Sequence, residues 1–190
     1  MRCYVVKGLF HLPREEKGKY TKNQSSPISL EGYGTDKFVS KDRTIDRSDR
    51  LFLLLFPKDQ WNLQMWPEKP HSLRETFNEY GFKTSLVVEL LLKAMAKILD
   101  LEENYFVNHF EDQTTAHVLF NYYPPCSNPN LVYGLKPHTN GSMVTIVLPD
   151  REVEGLQVFK DQKWIKIPVK PHALVVNIGD QMKICILFSV

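Results

Sequence analysis

The sequence is short of cysteine. Cys3, Cys126 and Cys185 are the only three in 190 residues, widely spaced and without a Cys-x-x-Cys pair. A disulfide framework, a zinc knuckle and a thioredoxin-type site are therefore all excluded, and the usage suits a reducing, intracellular compartment. Long apolar runs are also lacking: no stretch approaches the ~18 residues of a membrane helix. The opening Met1–Gly8 breaks its apolar stretch at Lys7 and has no signal-peptide cleavage pattern. These features lead us to expect a soluble, cytoplasmic chain with no membrane partner. Neither sign of charge dominates, since 24 Lys and Arg face 22 Asp and Glu for a net charge of +2. Bulk electrostatics thus give no footprint for nucleic acid. Internal repeats and low-complexity segments are absent as well, which argues against a solenoid. What remains is an ordinary globular composition, 43% hydrophobic and 12% aromatic, in a chain long enough to bury one core.

The spacing predicts a helical first half feeding a β-rich second half. Residues 13–22 read as a short charged helix with Pro13 near its first turn, and residues 23–36 as loop. Arg50–Phe56 is apolar on every side and suits a buried strand. Residues 72–99 carry the clearest helical period, with Leu73, Phe77, Tyr80, Val87, Leu91, Met95 and Ile98 on one stripe. Ser72 with Glu75, and Asp100 with Glu103, are spaced as capping boxes, the second opening a short helix through Tyr105 and Phe106. After residue 112, β-rich runs at 115–122, 143–148, 155–159, 163–169 and 173–178 are separated by Pro, Gly, Asn and Asp. Short strands at that spacing mark a sandwich or barrel.

Of six histidines, His11, His71, His109, His117, His138 and His172, only His138 has suggestive company. It sits in Gly134-Leu-Lys-Pro-His-Thr-Asn-Gly-Ser142, just before a β-run. On a strand, residues two apart share a face, so His138 and position 140 would address one point. A His-x-Asp pair there would supply two legs of the 2-His-1-carboxylate iron site. Position 140 is Asn140, whose amide carries no charge to offset Fe(II). Asn140-Gly141 is also the strongest two-residue signal for a type I′ hairpin turn. A second constellation is Asn121-Tyr-Tyr-Pro-Pro-Cys126. Its strand must leave the sheet at the prolines, and its two tyrosines point to opposite faces, one available to a cavity.

Taken together, Asn121–Cys126, Gly134–Thr139, Glu154-Gly-Leu-Gln-Val158, Lys163-Trp164 and Ala173–Gln181 resemble the plant 2-oxoglutarate- and Fe(II)-dependent dioxygenases, in flavour the codeine O-demethylase-like and norcoclaurine-synthase-like group. Phe10–Lys17, Glu31–Gly34, Trp66-Pro67 and Ala94–Lys97 fall in family order too. The resemblance implies an α+β fold: a helical N-terminal region (1–112) followed by a partial double-stranded β-helix, the cupin-like jelly roll (113–190). It implies His138 and Asn140 at metal-ligand positions, with Asn121 and Tyr123 approaching 2-oxoglutarate. The implied cofactors are Fe(II) and 2-oxoglutarate, with ascorbate as a further reductant. The implied activity is conversion of 2-oxoglutarate to succinate and CO2 coupled to hydroxylation or O-demethylation of a small plant metabolite by a monomer. Against the family pattern the chain is expected to be truncated at both ends. The second iron histidine and the Arg-x-Ser clamp do not follow Gly179-Asp180, and Ile184–Val190 departs from the family. An incomplete jelly roll exposes strand edges and inner faces, so poor solubility is expected of the chain alone. The alternative is a catalytically inactive homologue acting as a non-enzymatic binding or interaction protein.

Overall fold

The computed structural model describes residues 2–21, 30–34, 45–46, 48–108, 115–128 and 132–189. They group into two compact units, Met1–Lys136 and Pro137–Val190.

The first unit is organised by one strand. β3 (Asp49–Phe56), which follows α1 (Arg2–Phe10), α2 (Arg14–Gly18), β1 (Gly32–Gly34) and β2 (Ile45–Asp46), alternates strictly. Leu51, Leu53 and Leu55 are buried, while Arg50, Phe52, Leu54 and Phe56 are half-buried. The expected strand is therefore present, yet its two faces differ. Each buried leucine contributes about 1.5–3 kcal/mol relative to an exposed one. β3 lies between β1 and β4 (Ala116–Tyr122) in an antiparallel three-stranded sheet. Val118, Phe120 and Tyr122 of β4 add to the leucine face, where Val5, Leu9 and Phe10 of α1, Trp66, Leu73 and Phe77 complete the core. Phe77 meets Phe120 edge-on at 4.5 Å and Phe10 stacks on Tyr122 at 5.3 Å, geometries that aromatic quadrupoles favour.

Polar contacts fasten α2 and β1 to this sheet. The Tyr33 hydroxyl donates to Asp49 Oδ2 at 2.8 Å. Burial, and then the bond to the Asp49 carboxylate, hold that phenol well above its ordinary pKa. Lys17 Nζ donates to Phe10 O at 2.9 Å and stands 3.8 Å from Asp49 Oδ2. Glu31 Oε1 accepts the Leu54 N–H at 2.7 Å. Gly32–Gly34 is thus a strand, inside a segment expected to be loop; residues 23–29 and 35–36 of that segment lie outside the described residues.

After a 3-10 turn (Lys58–Gln60), the long helix α3 (Leu73–Ile98) runs close to its expected bounds, but neither capping box forms. Ser72 has φ −81° and ψ 0°, a helical conformation in place of the extended one an N-cap needs, and its side chain makes no capping bond. Asp100 takes φ 57° beyond the helix end. There the Leu101 N–H reaches Ala96 O at 2.9 Å and the Asp100 N–H reaches Lys97 O at 3.2 Å, the paired bonds of a Schellman motif. Glu103 binds Lys97 at 2.8 Å, so Asp100 closes α3 and does not open α4 (Tyr105–Asn108). The apolar stripe also turns. Leu73 and Phe77 are buried as expected, but the buried positions continue through Gly81, Leu92 and Ala96. Val87 is 39% and Ile98 82% exposed. At Gly81 a Cβ would stand 2.6 Å from Leu55 Cδ2, and that close approach carries the helix over β3.

In the second unit, β6 (Val144–Val147) pairs antiparallel with β9 (Val175–Ile178), and β7 (Gln157–Lys160) with β8 (Lys163–Lys166). β2 and β5 (Val132–Tyr133) form a short parallel pair in the first unit. All five expected β-runs therefore contain strands. The overall class is α+β as expected. The first half supplies β1 and β2 besides its helices and the expected β3, and among the described residues the strands form one three-stranded sheet and three pairs without closing a barrel. β4 lies beyond the expected boundary at residue 112 yet belongs to the first unit's sheet.

Two outcomes test this packing. Leu53→Ala should cost about 2–5 kcal/mol of stability by urea denaturation, since its site is fully buried. His117, stacked on Phe52 at 4.9 Å, has its pKa lowered by burial, against a weaker raising effect from Glu31. The unfolded chain therefore takes up this proton first, and stability should fall as pH drops below about 6.5. The chemical-denaturation midpoint of His117→Gln should show a shallower loss between neutral and mildly acidic pH.

Candidate functional site

Asn121 and Tyr123 belong to the first unit. Arg50 pairs with Asn121 in register, Phe52 with Leu119 and Leu54 with His117. By the two-residue period these six side chains share the sheet face opposite the leucine core. Asn121 is exposed on that face. β4 ends at Tyr122, and Tyr123-Pro124-Pro125 leaves the sheet as the prolines require. The two tyrosines divide as expected: Tyr122 packs against Phe10, whereas Tyr123 is 48% exposed. The Tyr123 ring lies over Gly134, where a Cβ would stand 3.0 Å from Cδ1. Sequence reasoning missed Arg50, which it counted only as the first residue of an apolar run. Arg50 is half-buried, its pKa lowered by that burial, with Tyr123 acting electrostatically in the opposite direction. The signal for it is register: a cation opposite Asn121 on the strand's non-core face.

His138 and Asn140 belong to the second unit. They lie on the irregular stretch before β6, not on a strand. The same-face argument for positions two apart therefore does not hold there, because it requires extended, paired backbone. His138 is exposed and Asn140 half-buried. Nor is Asn140-Gly141 a hairpin turn. Positive φ falls at Asp161 (49°) and Gln162 (61°) instead, the two residues that join β7 to β8, as a type I′ connection demands. Backbone hydrogen bonds hold the 139–143 segment against the end of β9. The Asp180 N–H donates to Asn140 O at 2.7 Å and the Gly179 N–H to Met143 O at 2.9 Å. The Thr139 hydroxyl donates to Asp180 Oδ2 at 2.6 Å. Asp180 opens α5 (Asp180–Ser189). A groove of about 360 Å³ at the start of this helix is lined by Ile178, Gly179, Asp180, Lys183, Ile186 and Leu187, and includes neither His138 nor Asn140.

Among the described residues no three His, Cys, Asp or Glu side chains gather as a metal-ligand set. His11 Nδ1 lies 2.6 Å from Lys7 O on the surface, His71 and His172 are exposed, and His109 is outside the described residues. Positions 138 and 140 offer one imidazole and one neutral amide. Fe(II) in a facial triad takes two imidazoles and one anionic oxygen, so the donors present do not fit it.

The elements define a mixed helix and antiparallel-strand protein with a histidine-bearing segment leading into paired strands, and comparison with known proteins agrees. Residues 114–186 match the 2OG-Fe(II) oxygenase superfamily. The chain is 39% identical over 176 residues to jasmonate-induced oxygenase 2 of Arabidopsis thaliana, covering 92% of this chain and 47% of that protein. It is 40% identical over 181 residues to a flavonol synthase/flavanone 3-hydroxylase of Eustoma exaltatum subsp. russellianum, covering 95% and 53%. The crystal structure of JOX2 in complex with 2OG, Fe and JA superposes with a TM-score of 0.87 at 38% identity, covering 95% of this chain and 53% of that one. The chain belongs to the 2OG-Fe(II) oxygenase superfamily and is of the plant 2-oxoglutarate-dependent dioxygenase kind. It spans about half the length of the curated relatives it matches. Their differing names indicate the family and no one subgroup.

Gly179 offers a direct test of how the histidine-bearing segment is held. A Cβ there would fall 1.8 Å from Ser142 O and 2.7 Å from Asn140 O, backbone atoms that no rotamer change can move. Gly179→Ala should therefore destabilise the second unit by about 3 kcal/mol, measured as lost hydrogen-exchange protection in β6 and β9. Gly141→Ala, with open space around the new methyl, should leave that protection intact.

Proposed function

We propose that this chain serves a 2-oxoglutarate- and Fe(II)-dependent dioxygenase that oxidises a small plant metabolite by hydroxylation or O-demethylation. The carrying observation is the likeness to JOX2, a protein solved with 2OG and Fe, over 95% of this chain. In this reading Asn121 and Tyr123 approach the co-substrate, and His138 and Asn140 stand at metal-ligand positions. Arg50, opposite Asn121 in register and electrostatically coupled to Tyr123, adds positive charge on the face where a dicarboxylate would sit. The Tyr123-Pro124-Pro125 exit holds the phenol off the ladder, and its seat over Gly134 limits where the ring can swing. Asn140 is the residue that sets metal affinity, because an amide withholds the negative charge a dication draws on.

Succinate release from 2-oxoglutarate with Fe(II) tests the reading. Asn140→Asp is expected to raise metal-dependent release at least about tenfold over the unmodified sequence, a step of about 1.4 kcal/mol. Release at the metal-free level from both proteins would overturn the proposal and favour a non-enzymatic binding homologue.

A further inference from the structure

We infer that Asn140 is a site of spontaneous deamidation, which converts the neutral amide at this position into a carboxylate. Asn140-Gly141 is the single Asn-Gly pair in the sequence. It lies outside any helix or strand, so backbone rotation at this pair breaks no ladder. Gly141 is exposed, and a Cβ built on it meets nothing within 4 Å. Among the described residues no hydrogen bond is donated by the Gly141 N–H. That nitrogen is the nucleophile, and the peptide that contains it is already polarised. Its carbonyl, Asn140 O, accepts the Asp180 N–H at 2.7 Å, which draws electron density from the amide and makes the Gly141 N–H more acidic. Glycine adds the remaining condition, since it has no Cβ to crowd the approach and ranges widely in φ.

The chemistry closes without any cofactor. The Gly141 nitrogen gives its proton to a solvent base and attacks Asn140 Cγ, forming a C–N bond. The former side-chain amine takes up a proton and leaves as ammonia, giving a five-membered succinimide. Water then adds to one of the two ring carbonyls, one C–N bond breaks, and the product is Asp or iso-Asp at position 140. No atom is oxidised or reduced. The Asp product keeps the main chain intact and places a carboxylate two residues after His138. The iso-Asp product lengthens the main chain by one carbon and displaces it. A metal consequence of this change rests on the function proposed above, whereas the modification itself does not.

The experiment ages the full chain at mildly alkaline pH beside a synthetic peptide of residues 136–145, with residue 140 followed by peptide mass spectrometry that separates Asn, Asp and iso-Asp. The expected result is conversion in the folded chain within about tenfold of the peptide's rate, with Gly141→Ala slowing it about tenfold or more. Asn140 surviving unmodified after the peptide has been consumed would overturn the inference. Mn(II) titration of fresh chain, aged chain and Asn140→Asp is the second arm. Tighter binding by the Asp-containing forms supports the metal consequence. Deamidation without any gain in Mn(II) affinity would sink the reading of position 140 as a metal position while leaving the modification established.

Discussion

The alternation of Leu51, Leu53 and Leu55 along β3 is the constraint on which the first unit depends. A strand with both neighbours in place and one face wholly apolar has a single usable register, because a slip by one residue would send the leucines outward and Arg50 inward. That register in turn decides which residues of β4 face the core. Phe120 is placed against Phe77, and Asn121 is turned away from it. The exposure of Asn121 is therefore a consequence of leucine burial on the neighbouring strand. Gly81 belongs to the same logic, since a larger residue would push α3 off Leu55.

How much of this was legible in the sequence depends on the range of the interaction involved. Strand and helix existence were readable because periodicity is local: β3, α3 and all five later β-runs occur where the pattern placed them. The capping boxes were not, because a box requires a backbone conformation that spacing cannot report. Ser72 is held helical within a turn in which the Leu73 N–H reaches Pro70 O at 2.8 Å. The second half of the α3 stripe failed for a related reason. Burial there follows which side the neighbouring elements occupy, and so Ala96 is buried while Ile98 is not.

The site divides along the same line. The exit from the sheet at the prolines was legible because proline cannot continue the ladder, and with it the separation of Tyr122, packed on Phe10, from the exposed Tyr123. Arg50 was hidden because its role arises from cross-strand register, a pairing 71 positions apart in the chain. The Asn-Gly rule misplaced the hairpin turn. Type I′ geometry went to Asp161-Gln162, where β7 and β8 are already paired on both sides, and a turn preference operates only where the flanking strands can close on it.

Position 140 brings stability and chemistry into opposition. Asp180 already places a carboxylate beside this segment, fixed by the Thr139 hydroxyl, while its N–H holds Asn140 O. A second carboxylate at 140 would add like charge to that neighbourhood, which destabilises the fold unless a cation or a proton neutralises it. An amide of nearly the same shape avoids the repulsion and leaves the backbone contacts to Gly179 and Asp180 unchanged. The residue that suits the metal-free fold is thus the one that weakens a cation site, and the inferred deamidation beside the open Gly141 would run one way, from the amide that suits the fold to the carboxylate that suits a cation.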